Sequence, residues 1–400
     1  MKSNQLIYTG LLLVGIIFLS AGCEYDTPIS LWDPAAEGLA PSATISEVDP
    51  PNEAGGGINE IIIKGSNFAS DPMANSVYFN SVPAEIVSGN SGEVVVFRPP
   101  IVGDSLVIKV IVPGGLIIAE HGPYRVTKLF ENYTEEFDDT GDLRNFVIGS
   151  DGTYYSIMRN RTLRRRLPGS DEEETVANVT ERNIGNIHFG PDGNLYYNRS
   201  NNFGMYKINL IDFSEESYAT LPASVSYFDF DENGYAYFVG NGVGLYCLKS
   251  PEDIQVVDDY STLNCLAACV YDGSFYVLAA YTGDDLTVPM MAIWKNDLNG
   301  DGTVAGKTLF LDWSASEYSE ASPTDLEFAA DGTLYISSDH EQPIVRFENG
   351  QLKPLYKDMI SGPVSLMDWG HDNHLYFYSN VQSFTDKNVY KVDMGQPGAL

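Results

Sequence analysis

The sequence predicts an all-β protein: a small β-sandwich followed by a six-bladed β-propeller, which a strand preceding its first blade closes. Three observations carry this reading. An Asp-Gly-like turn recurs six times, at Asp151, Asp192, Asn233, Asp272, Asp331 and Asp372, in steps of 41, 41, 39, 59 and 41 residues. A tyrosine follows each turn residue at the same offset, and an apolar residue precedes it by three. Residues 41–127 instead carry short strand-like runs separated by close turns. A repeat near forty residues with strand-turn-strand content is how a propeller appears in sequence, each repeat being one four-stranded blade.

Each repeat divides into four strands. The innermost carries the apolar column Ile148, Phe189, Phe230, Cys269, Phe328 and Trp369. The second begins near the tyrosine column Tyr155, Tyr196, Tyr237, Tyr276, Tyr335 and Tyr376. Third strands follow at 205–208, 244–248, 292–295, 344–347 and 389–392, and outer strands in most repeats, as at 217–221 and 307–311. After Val392 too little chain remains for a sixth outer strand. The segment 128–137 belongs to no repeat and is expected to supply it, hiding an edge that would otherwise pair with other chains. The tyrosines are expected to pack between blades with their hydroxyls hydrogen-bonded, rather than to form a sugar platform. Domain bounds follow: 1–22 a signal peptide, 23–40 a tether, 41–127 the sandwich and 128–400 the propeller.

In the sandwich, strands are expected at Ile45–Val48, Glu60–Phe68, Ser76–Phe79, Ala84–Val87, Glu93–Phe97 and Leu106–Val112. Pro50, the Gly55–Gly57 turn, Ile63-Lys-Gly65-Ser-Asn-Phe68, Val77-Tyr-Phe79 with Ala84, and Val96-Phe-Arg-Pro99 resemble the IPT/TIG immunoglobulin-like family. That resemblance covers the whole unit and implies a spacer or adhesion module. Gly65 is read as a turn needing backbone freedom, and Phe68 as a plug for one end of the sandwich.

At the N-terminus, Lys2 precedes an apolar run from Leu6 to Leu19, and Leu19-Ser-Ala-Gly-Cys23 follows. The run is short of the roughly 20 apolar residues of a membrane span and reads as a signal peptide. Small residues directly before a cysteine resemble the lipobox of bacterial lipoproteins, although Ser20 stands where that family favours leucine. The resemblance implies that Cys23 is acylated and that the chain is held at an outer membrane or cell surface. Cys247, Cys265 and Cys269 remain. Cys269 falls in the apolar column and reads as core, and a Cys247–Cys265 disulfide stays open.

The formal charge is −32. That excludes a nucleic-acid partner, because little here would neutralise phosphates. The one basic cluster, Arg159 to Arg166, is followed at once by Asp171 to Glu174 and reads as a hairpin with paired charges.

The propeller repeats resemble the six-bladed NHL and TolB-like group. In that group ligands bind on the face carrying the loops that lead into the innermost strands and those joining second to third strands. Carried over, this face would hold Asn145, Asn186 and Asp325 on the first set of loops, and Arg159, Asn201, Asn241, Asp339, His340 and Asn380 on the second, overhung by Tyr281. Asp297, Asn299 and Asp301, with Gly302 sixth, resemble the start of a calcium-binding loop, but Thr308 stands where a bidentate acid belongs. Flanking apolar runs make the same segment a hairpin turn, and Ca²⁺ is the metal considered for it. The "E-G-P" setting of related lactonases is missing before Phe146, as are a Gly-x-Ser-x-Gly elbow and a His-Glu-x-x-His helix. The expected role is therefore a lipid-anchored surface binding or scaffold protein, with carbohydrate or another surface protein as partner. A metal-dependent lactonase or hydrolase is the alternative.

Overall fold

The computed structural model describes residues 41–134, 143–200, 202–370, 372–380 and 387–399. Every sheet in it belongs either to a two-sheet sandwich or to one of six four-stranded blades.

The sandwich packs a four-stranded sheet, in the order Thr44–Asp49, Glu60–Ser66, Glu93–Phe97, Ile86–Asn90, on a five-stranded one. The second sheet runs Glu53–Ala54, Ala119–Val126, Gly103–Ile111, Ser76–Phe79, Val82–Ala84. Alternate residues point inward, so Ile61, Ile63, Val94, Val96, Val77, Phe79, Ile108 and Val110 share one core. Two details depart from expectation. The run Ala84–Val87 is not one strand but a crossover between the sheets, ending one strand at Ala84 and starting the next at Ile86. Gly65 lies inside a strand rather than in a turn. What it provides is space, since a Cβ there would sit 2.0 Å from the Thr44 carbonyl oxygen and 2.5 Å from the Phe68 ring. Phe68 is buried, as a plug should be.

The blades are antiparallel four-stranded sheets whose innermost strands are Leu143–Ile148, Ile184–Phe189, Tyr227–Phe230, Leu263–Tyr271, Pro323–Phe328 and Val364–Trp369. Each innermost strand touches the next, and the sixth touches the first, closing the ring. The two aligned columns hold neighbouring blades together. Tyr155, Tyr196, Tyr276 and Tyr335 set their rings against Phe189, Phe230, Phe328 and Trp369 of the following blade, at 6.1, 5.2, 4.7 and 5.1 Å between centroids. All six tyrosines are buried. Their hydroxyls are not uniformly bonded: that of Tyr196 donates to Asp192 at 3.1 Å, whereas that of Tyr237 makes no hydrogen bond of good geometry among the described residues.

The expected latch is present. Phe130–Asn132 pairs antiparallel with Lys387–Asp393 and becomes the outer strand of the sixth blade. The Tyr133 N–H bonds the Val389 carbonyl, and the Val389 N–H returns to Thr134 Oγ1 at 2.9 Å. Residues 135–137 of the predicted segment lie outside the described residues. The basic cluster forms a third strand, Thr162–Arg166, beside Glu173–Asn178. There Arg164, Arg165 and Arg166 pair with Glu173, Glu174 and Asp171. Cys247, Cys265 and Cys269 are buried free thiols, so the disulfide left open is absent.

The sandwich is docked on the fifth and sixth blades. Tyr356 is the central contact: its hydroxyl accepts from the Gly57 N–H and donates to the Asp393 carbonyl, both at 2.7 Å, while its own N–H reaches Asn59 Oδ1. Gly57 has φ +80°, and a Cβ there would meet the Met394 carbonyl oxygen at 2.6 Å, so only glycine lets the backbones approach this closely. Arg98, 1% exposed, anchors the joint from within by donating to the carbonyls of Ala54, Gly55 and Thr127 at 3.0, 2.7 and 2.5 Å. Lys353 with Glu60 and Lys357 with Glu85 bridge the rim.

Candidate functional site

The innermost strands carry two aligned layers of mixed polarity toward the propeller axis. Four residues before each turn residue stand Val147, His188, Asp229, Ala268, Glu327 and Asp368, and six before stand Asn145, Asn186, Tyr227, Leu266, Asp325 and Leu366. Side chains two apart on a strand share a face, so the columns lie one above the other. The first layer, apart from Ala268, lines a cavity of about 540 Å³. Phe230, Trp369 and the turn residues Asp231–Asn233, Asp272 and Asn299 complete its wall. The cavity therefore extends toward the turns joining first to second strands. None of the second layer lines it.

Most polar side chains of these layers tie one blade to the next. Asn145 Nδ2 donates to the Gly185 carbonyl and to Asn186 Oδ1, each at 3.2 Å. Asn186 Nδ2 reaches the Phe228 carbonyl at 3.4 Å. Asp229 accepts from the Val270 N–H at 2.7 Å, Asp325 from Met367 at 2.8 Å, and Asp368 from Ile148 at 2.5 Å. Each of these bonds crosses a blade boundary, and all but the one to Asn186 Oδ1 satisfy a backbone group of the next blade. The chemistry of His188 follows from its neighbours. Its Nε2 lies 2.8 Å from Asn186 Nδ2 and accepts from that amide, which leaves the Nδ1–H turned toward Asp229 Oδ1 at 3.7 Å.

Glu327 stands apart. Among the described residues it takes part in no such tie, yet it shares the cavity with Asp229 and Asp368. Burial first, then the charges of Asp368, Asp325 and Asp229, push its carboxyl well above the usual range. Asp368 is also pushed well up, chiefly by burial, against the pull of the Ile148 N–H. Burial raises Asp325 to about 7 even though the Met367 and Leu326 N–H groups favour its ionised form. Carboxylates so placed disfavour each other's ionisation, and the site holds protons that carboxylates in water would lose.

The residues that the sequence suggested are dispersed. Asn145, Asn186 and Asp325 do come together, in the layer behind the cavity. Arg159 and Asn241 sit exposed on turns. Asp339 accepts from the Ser322 N–H at 2.7 Å, and His340 Nδ1 accepts from the Gln342 N–H at 2.9 Å with its ring against Tyr318. The Tyr281 hydroxyl accepts from the Asp285 N–H. Asn380 ends a strand paired with Lys387, while Asn201 and Cys23 lie outside the described residues. His340 and Tyr318 face a second cavity, of about 560 Å³, walled across from them by Glu60, Glu85 and Phe97 of the sandwich.

Asp297, Asn299 and Asp301 form a hairpin turn between the third and outer strands of the fourth blade. Asp297 is engaged by Lys295 and Ser274, and both Asn299 and Asp301 bond Thr303. Asp301 accepts within the loop, Asn299 donates through Nδ2, and Asp297 is held by the neighbouring strands. Among the described residues no three His, Cys, Asp or Glu side chains group to hold a metal ion. The channel carboxylates are what sequence reasoning missed. Their column mixes Val, His, Asp, Ala, Glu and Asp, and only its fixed spacing from the turn betrays it.

Residues 43–126 match the IPT/TIG domain family. No curated protein matches the chain. Among solved structures it is similar to a protein of unknown function from Bacteroides thetaiotaomicron VPI-5482, at 14% identity and TM-score 0.50, covering 90% of this chain and 99% of that one. An auxiliary nutrient binding protein from the same organism is similar at 11% identity and TM-score 0.50, over 90% and 98%. A luciferin-regenerating enzyme aligns at 13% identity and TM-score 0.52, over 68% of this chain and 97% of that one. At these identities the likeness is one of fold.

Proposed function

We propose that this chain is a lipid-anchored surface binding protein whose propeller takes a polyhydroxylated ligand, a carbohydrate, into its axial cavity. One observation carries the reading: around 540 Å³ of space the chain sets carboxyl groups beside aromatic walls, and one of them, Glu327, ties no blade to its neighbour among the described residues. Sugar hydroxyls are donors that suit carboxylates, and their apolar faces suit Phe230 and Trp369. The volume lies in the range of small-molecule sites, about 300–1,000 Å³. Fold-level likeness to a nutrient-binding protein supports a binding role by analogy. The acyl anchor rests on the signal sequence and Cys23.

A glycan array followed by calorimetry tests this. Retention of a glycan family is expected, with affinity falling about tenfold in Glu327→Ala, which removes the carboxyl's hydrogen bonds to the ligand. Silence across plant, algal and host polysaccharides would reject the carbohydrate reading and favour a protein partner. A hydrolase is the second reading, favoured by a carboxyl whose hold on its proton burial and Asp368 strengthen, as suits a general acid. Turnover of a lactone or aryl glycoside, with and without added Ca²⁺, and its abolition in Glu327→Gln would establish it.

A further inference from the structure

The sandwich ends in an apolar tip on the side away from the propeller. Strand Gly103–Ile111 starts beside Val126, next to the joint, and runs outward. The chain turns through Val112-Pro-Gly-Gly-Leu-Ile-Ile118 and returns along Ala119–Val126. From Val110 to Ala119 there is no charged residue, in a chain one-fifth charged. Leu116, Ile117 and Ile118 are 59%, 63% and 46% exposed. The register of Ser76 with Ile111 brings up Met73, 59% exposed, on the adjoining 3-10 turn. Four large apolar side chains gathered at one end are not the scattered exposure of an ordinary surface.

The same end receives the N-terminal segment. Thr44 pairs with Ser66, the outer limit of strand Glu60–Ser66, and Asn67 Nδ2 holds the Ser42 carbonyl at 2.9 Å. Residues 1–40, with the apolar run and Cys23, therefore join the molecule where the apolar tip is. A seventeen-residue tether could reach about 60 Å if extended, so an anchor at Cys23 alone would leave orientation free.

We propose that the 112–118 hairpin dips into the lipid surface as a second contact that orients the molecule, with the propeller pointing outward. The inference rests on the reading of Cys23 as a membrane anchor. The occupant is lipid rather than anionic headgroups: the chain carries −32, and the tip offers side chains suited to the interface and no cations.

The test uses the full chain, extracted from membranes and reconstituted in phosphatidylcholine vesicles. A nitroxide is placed at Ile117→Cys or, as control, at Val256→Cys, a 64% exposed residue on the outer strand of the third blade. The other described cysteines are buried. Power saturation is expected to show the Ile117 label favouring oxygen over a water-soluble nickel chelate by several-fold more than the Val256 label, in chain that floats with the vesicles. Floating chain with both labels equally open to nickel would overturn the inference and leave the anchor standing. A label immobilised yet open to nickel would overturn it in favour of a protein contact. Chain that does not float would remove both.

Discussion

The joint between sandwich and propeller and the propeller's axial cavity both bury ionisable groups, and they treat them in opposite ways. At the joint, Arg98 meets three carbonyl oxygens, and its charge is distributed over backbone dipoles from two segments. In the cavity, carboxylates stand near other carboxylates, and Glu327 meets no donor among the described residues. A buried charge with most of its hydrogen bonds made, as in Arg98, whose Nε alone of its nitrogens lacks a partner among the described residues, is architecture. A buried carboxyl denied them lowers stability and is kept where a ligand can complete it. The contrast separates scaffold from site without reference to any relative.

The largest effect is expected at the joint. Arg98→Ala removes three hydrogen bonds to backbone carbonyls and the side chain that fills the joint, and should cost about 3 kcal/mol, read as a lower denaturant midpoint with sandwich and propeller signals no longer coincident. A loss below about 0.5 kcal/mol would show that the joint is not held as described. The cavity should respond in the other direction. Asp325, raised to about 7, and the raised Glu327 and Asp368 bind more protons in the folded state than in the unfolded. Stability should therefore be greatest below about pH 4 as far as these groups decide it, and fall as pH rises toward 7. Glu327→Gln removes one member and eases the rest. It should flatten that fall and stabilise the protein by about 1 kcal/mol at pH 8, measured by thermal unfolding across pH. A steeper fall in the variant would show that Glu327 has a partner. The smallest effect belongs to the exposed turn at Arg159. Arg159→Ala should change stability by less than about 0.5 kcal/mol and leave glycan retention intact, and a lost ligand there would move the site to the opposite mouth.

Much of the scaffold was legible because it repeats. The tyrosine column and the apolar column three before each turn recur six times, since every blade boundary poses the same packing problem. The latch was legible from a shortage, too little chain after Val392 and an unassigned segment before the first repeat. The site was not legible, because its residues share a position without sharing a type. Asp229 and Asp368 look alike in sequence to the turn aspartates, yet they tie blades together, while Glu327 at the equivalent place does not. Arg98 was in view within Val96-Phe-Arg-Pro99 and its role was not, for its partners are carbonyls far along the chain, and no side-chain pattern announces a carbonyl.

The pairing of Glu131 with Lys391 also bears on how the molecule comes to be made. Synthesis runs from the N-terminus, so the latch emerges long before its partner and must wait through the construction of five blades. Until Lys387–Asp393 arrives, a bare strand edge stands at each side of an unfinished wheel, open to any extended chain nearby. The slowest step should be the last one, the meeting of the two ends of the propeller.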